Sequence, residues 1–145
     1  MTREALVAAL DEAGARAAAG GAPSEEVAAL LARILTAASA TPEVGEALRD
    51  VPAGKATLRF TDAPFAFAFE AGQGRLSARA VDPKEKHGPR VDATSATWLG
   101  LLGGTLKPWL AFTRGLVIAR AGLTELRWLQ QVAERLQHGY REARG

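Results

Sequence analysis

Apolar residues recur at helical spacing through the first part of the chain and at a spacing of two through the next. The switch falls at Val51-Pro52-Ala53-Gly54. Val27, Leu30, Leu31, Ile34 and Leu35 stand at i, i+3, i+4, i+7 and i+8, one stripe of a helix opened by the capping residue Ser24 with Glu25 and Glu26 at its positive end. Before it, Leu6, Val7, Leu10, Ala13 and Ala17 give residues 2–18 a thinner apolar face, ended by Gly20-Gly21-Ala22-Pro23. After it, Thr41-Pro42-Glu43 reads as a cap with proline at the first helical position, opening a short helix through Leu48. Alanine-rich helices with stripes this thin need a partner surface to be stable.

From Lys55 the alternation predicts strands. Ala56, Leu58 and Phe60 alternate with Thr57, Arg59 and Thr61; Asp62-Ala63-Pro64 turns the chain into Phe65-Ala66-Phe67-Ala68-Phe69, where every second residue is aromatic. Ala71-Gly72-Gln73-Gly74 is a second turn, and Arg75 to Val81 a third strand. Asp82 to Pro89 reads as a charged loop, and Arg90 to Thr94 as a short fourth strand. Three strands joined by tight turns form an antiparallel meander with one buried face, so the phenylalanine row faces an apolar space. Thr94 or Ser95 then caps a helix carrying Trp98, Leu99, Leu101 and Leu102 that stops at Gly103-Gly104. A helical stretch with Leu106, Trp109, Leu110 and Phe112 follows, then a fifth strand over 115–119. Leu123, Leu126, Leu129, Val132, Ala133 and Leu136 mark a closing helix. The expected fold is α+β: a five-stranded, mainly antiparallel sheet covered by helices, with residues 1–51 as an N-terminal helical segment packed on a domain formed by 52–145.

The 145 residues, 48% hydrophobic and 23% charged, have the balance of a globular chain able to bury a core without staples. There is no cysteine, which excludes disulfides, thiolate metal sites and a cysteine nucleophile. The net charge of +2 conceals an asymmetry. Residues 1–52 are acidic and residues 53–145 basic, which favours an anionic partner such as a membrane headgroup or acyl carboxylate; the cations are spaced singly, and no nucleic acid is expected. Met1-Thr2-Arg3-Glu4 opens no apolar leader, and the uncharged run from Ala93 to Leu106 is too short to span a bilayer, so the expected location is the cytoplasm.

Candidate chemistry is sparse. His87 and His138 lack a second ligand at metal spacing and are expected at the surface, so neither metal nor cofactor is expected. Gly100, Gly103 and Gly104 precede a lysine followed by proline, which is no phosphate loop. Asp62, Glu70, Asp82 and Asp92 fall near strand ends, where acids solvate turns. The chain is therefore not expected to be an enzyme. What it has in excess is apolar surface: of nine aromatic residues, only Tyr140 lies outside the span from Phe60 to Trp128.

The run from Gly104 to Gly115 resembles the sterol carrier protein 2 family: Gly104, a proline four on at Pro108, the pair Ala111-Phe112, and Gly115 three after the phenylalanine, all at family spacing. Element order extends the resemblance over roughly residues 52–140. Pro108 starts a helix without losing an amide bond, Gly104 and Gly115 let the chain reverse, and Ala111-Phe112 offers a small and a large group to the sheet. Where the family places a second glycine six residues after Gly115 this chain has Ala121, with Gly122 next, which predicts a shifted or bulged last strand.

The resemblance implies an apolar tunnel between sheet and helices that binds, without catalysis, fatty acyl chains, acyl-coenzyme A, phospholipids or sterol-like molecules, and transfers them. The ligand contacts it implies are Phe65, Phe67, Phe69, Trp98, Leu102, Trp109, Phe112 and Leu126, with Lys107 or Arg114 meeting a charged head. Relatives acting as accessory factors of isoprenoid-quinone biosynthesis give an alternative role. The implied partners are a lipid or other hydrophobic small molecule, transient contact with a membrane surface, and a second copy in a homodimer.

Overall fold

The structure is a computed structural model that describes residues 2–19, 24–85, 87–120 and 122–145. Three helices come first: α1 (Thr2–Ala18), α2 (Ser24–Ser39) and α3 (Pro42–Ala47). The expected break at Gly20 to Pro23 lies outside the described residues. On α2 the five stripe residues Val27, Leu30, Leu31, Ile34 and Leu35 are all buried, as a helix with one apolar face requires. On α1 the buried face is Leu6, Ala9, Leu10 and Ala13, with Ala17 exposed and Val7 half-buried. Thr41 precedes α3 with Pro42 at the first helical turn, but its hydroxyl makes no cap: Oγ1 donates to the Ala37 carbonyl, 2.7 Å away, at the end of α2.

Strands β1 (Gly54–Phe60), β2 (Ala66–Gly72) and β3 (Arg75–Val81) form the antiparallel meander. Phe60 and Phe65 close the first hairpin, the Phe60 amide donating to the Phe65 carbonyl at 3.0 Å. Strand β4 (Arg90–Ala93) does not extend the meander at β3. It crosses to the far side of β1 and pairs with it in parallel, Leu58 opposite Val91, and β5 (Ile118–Ala119) completes the order β3-β2-β1-β4-β5. The sheet is thus mixed and mostly antiparallel. The fifth strand is two residues long where the pattern predicted five; Ala121 lies outside the described residues, and Gly122 follows at φ 136°.

Period-two geometry sorts the side chains. Ala56, Leu58, Phe60, Phe67, Phe69, Ala71, Val91 and Ala93 face inward and join one apolar cluster with residues of every helix. Helices α4 (Ser95–Gly103), α5 (Pro108–Thr113) and α6 (Leu123–Arg144) cover this face together with α2, which packs on β3. Thr94 caps α4, its Oγ1 accepting from the Thr97 amide at 3.2 Å. Gly104 and Gly115 have φ of 90° and 69°, the left-handed backbone that both chain reversals need. No helix among the described residues is long and apolar enough to cross a membrane.

Candidate functional site

The inner face of the sheet carries the aromatic concentration that the sequence placed there. Phe67 and Phe69 sit opposite Leu58 and Ala56 on β1 and are buried. Phe60 bridges to Phe65 and Phe67 at ring-centre distances of 6.0 and 6.2 Å, the first edge to face. Trp128 of α6 meets Phe69 edge to face at 6.2 Å. Such offset contacts are the preferred aromatic arrangement. Trp98 and Leu102 on α4 are buried in the same cluster. Phe65, Phe112 and Leu126 lie half-buried at its margin.

Trp109, the eighth residue expected here, is elsewhere. It is 55% exposed, on the side of α5 opposite the buried Ala111. A helix of six residues is under two turns long, and its apolar residues Trp109, Leu110, Ala111 and Phe112 run consecutively, so spacing could not show which face turns inward. Lys107 and Arg114, at the two ends of α5, are exposed and make no ion pair among the described residues.

The inner face has little hydrogen-bonding capacity left to offer. Trp98 Nε1 donates to the Arg59 carbonyl and Trp128 Nε1 to the Pro52 carbonyl, each at 2.9 Å. Two carbonyls in the last turn of α4, which lack partners inside the helix, and one just beyond it are met by α6: Gln137 Nε2 donates to Leu101 O at 2.9 Å and Leu106 O at 2.8 Å, and Tyr140 Oη donates to Leu102 O at 2.6 Å. Burial pushes the Tyr140 phenol above its usual pKa. Gln137 and Tyr140 were missed as determinants of the helix layer; the one signal for them was two polar-ended residues inside the apolar stripe of α6. Four surface clefts of about 510, 570, 570 and 300 Å³ are lined by other residues than the eight.

The outer face is polar and partly covered. Residues 87–89 pass over it: the His87 amide donates to Thr57 Oγ1 at 2.9 Å, with the imidazole Nε2 3.1 Å from Glu70 Oε2. His87 is therefore half-buried, contrary to the expectation of a surface residue, whereas His138 is exposed. Asp92 also departs from expectation. It solvates no turn but is buried between Arg120 Nε at 3.0 Å and Arg59 Nε at 4.0 Å. Asp62 accepts from both the amide and the hydroxyl of Ser95, fixing the start of α4. Among the described residues no three His, Asp or Glu side chains gather as a metal site.

No protein-family model matches the chain, and no curated protein matches it. Solved structures do. A crystal structure of sterol carrier protein 2 superposes with a TM-score of 0.54 at 24% identity, over 72% of this chain and 87% of that one. The solution structure of a conserved hypothetical protein from Thermus thermophilus, described as possibly a sterol carrier protein, gives a TM-score of 0.49 at 25% identity, over 73% and 85%. The chain shares the α+β fold of sterol carrier protein 2.

Proposed function

We propose that this protein binds apolar molecules, of the class of fatty acyl chains, acyl-coenzyme A, phospholipids or sterols, between the inner sheet face and its helix cover, and passes them on without chemical change. The observation that carries this reading is the aromatic floor of Phe67 and Phe69 beneath a helix layer, in a chain with the fold of a sterol carrier. An acyl chain entering there displaces the half-buried margin of Phe65, Phe112 and Leu126 and lies on the two phenylalanines. Each methylene so buried contributes about 0.8 kcal/mol. With both indole N–H groups already engaged, selection rests on volume and apolar contact, which discriminates weakly among chains.

Native mass spectrometry of the freshly purified protein, followed by extraction and titration with a fluorescent fatty acid, tests this. A stoichiometric lipid or saturable one-to-one binding is expected. Phe67→Trp is expected to weaken that binding while leaving folding stability within about 1 kcal/mol, because the indole occupies space the ligand would fill. An apo mass with no uptake of acyl chains or sterols, together with a loss of about 1–3 kcal/mol in the variant, marks a packed core and overturns the reading. An isoprenoid-quinone precursor in the extract would direct the same binding space to quinone biosynthesis.

A further inference from the structure

Large apolar side chains that remain exposed among the described residues are four: Trp109 at 55%, Leu116 at 40%, Ile118 at 51% and Leu123 at 62%. All four fall within one short stretch of chain comprising α5, β5 and the first turn of α6. Elsewhere among the described residues the large apolar groups are buried or half-buried, and α6 packs against both α5 and β5, so the four fall on neighbouring elements, as an interaction surface requires. Its charge indicates what it meets. From Ala93 to Thr124 the chain has no acidic residue, while Lys107, Arg114 and Arg120 are exposed in the same stretch and Arg127 follows on α6. Arg120 is held by Asp92; Lys107, Arg114 and Arg127 make no ion pair among the described residues. A stretch that combines an exposed tryptophan, two leucines and an isoleucine with exposed cations matches the zone between acyl chains and anionic headgroups.

We propose that this α5–β5–α6 surface docks on an anionic lipid bilayer, with Trp109, Ile118 and Leu123 entering the headgroup boundary and Lys107 and Arg114 meeting the phosphates. Docking rests on surface residues alone and does not depend on the interior reading; the two are separated by using a soluble acyl probe for one and vesicles for the other.

The test is flotation of the full chain with vesicles of phosphatidylcholine alone and of phosphatidylcholine containing a third phosphatidylglycerol. Binding is expected only to the anionic vesicles, falling with salt, with Trp109 emission quenched by brominated acyl chains. Lys107→Gln and Arg114→Gln are expected to weaken partition by about fivefold each, and Trp109→Ala by about tenfold. These side chains are exposed, so the variants should fold, which circular dichroism verifies. Equal binding to neutral vesicles, no binding to either, or binding indifferent to these substitutions overturns the proposal. So does a concentration-dependent dimer, lost in Leu123→Ser, in a protein that ignores vesicles.

Discussion

Tyr140 and Asp92 illustrate two ways of holding an ionisable group away from water. Asp92 lies between two guanidinium groups, but Arg120 is largely exposed, so the pairing gains much less than a fully buried one would. Tyr140 stays neutral. Burial raises its pKa above 10, so the folded chain retains a proton that the unfolded chain releases. Its contribution to stability is therefore intact below about pH 10 and declines as pH rises beyond that. Tyr140→Phe should flatten this alkaline decline while costing about 1–3 kcal/mol at neutral pH, because the Leu102 carbonyl loses its donor. Urea melts of both proteins at about pH 8 and about pH 11 check the sign. Alternation along β4 places Asp92 on the face opposite Val91, but nothing in the spacing shows that Arg59 and Arg120 flank it there; strand pairing between distant segments brings them together.

Helices and strands followed from their periods almost throughout. The stripe of α2 and the alternation of β1 and β2 are long enough to fix which side is buried, and burial of each large apolar side chain is worth about 1.5–3 kcal/mol. Short elements were harder to orient. α5 has too few turns to select a face, and Thr41 had the right chemistry for a cap but found a carbonyl acceptor in the preceding helix. Leu123 fits the stripe of α6 by spacing yet, as the first residue of that helix, stays exposed. Further along α6, Gly139 lets the helix touch α3: a Cβ there would meet Val44 Cα at 2.9 Å and the Glu43 carbonyl at 3.3 Å. Gly139→Ala gains about 1 kcal/mol of helix propensity, and the forced separation of two backbones should outweigh it, for a net loss of about 1–2 kcal/mol. A denaturation midpoint raised by this substitution would show that the helices separate at no cost.

At the level of the whole chain, the N-terminal helices are part of the core: Leu6, Leu31, Ile34 and Leu48 are buried in one cluster with Leu58, Trp98 and Leu136. What periodicity leaves open is which strand lies beside which. A period of two gives faces, whereas the placement of β4 beside β1 requires contacts made far along the sequence. The resemblance carried by the Gly104–Gly115 run pointed to the α+β fold, but it too left the strand order open. Mixed strand order has a kinetic consequence. The β1–β2 and β2–β3 pairs close through short turns, but joining β1 to β4 brings together residues about 30 positions apart, at an entropic cost that falls once the intervening hairpins exist. The meander should therefore form first and act as the template on which β4, and then β5, is laid. In pulse-labelled refolding, amides of β2 and β3 should gain protection before those of β4; the reverse order would mean that the chain nucleates at its parallel pair.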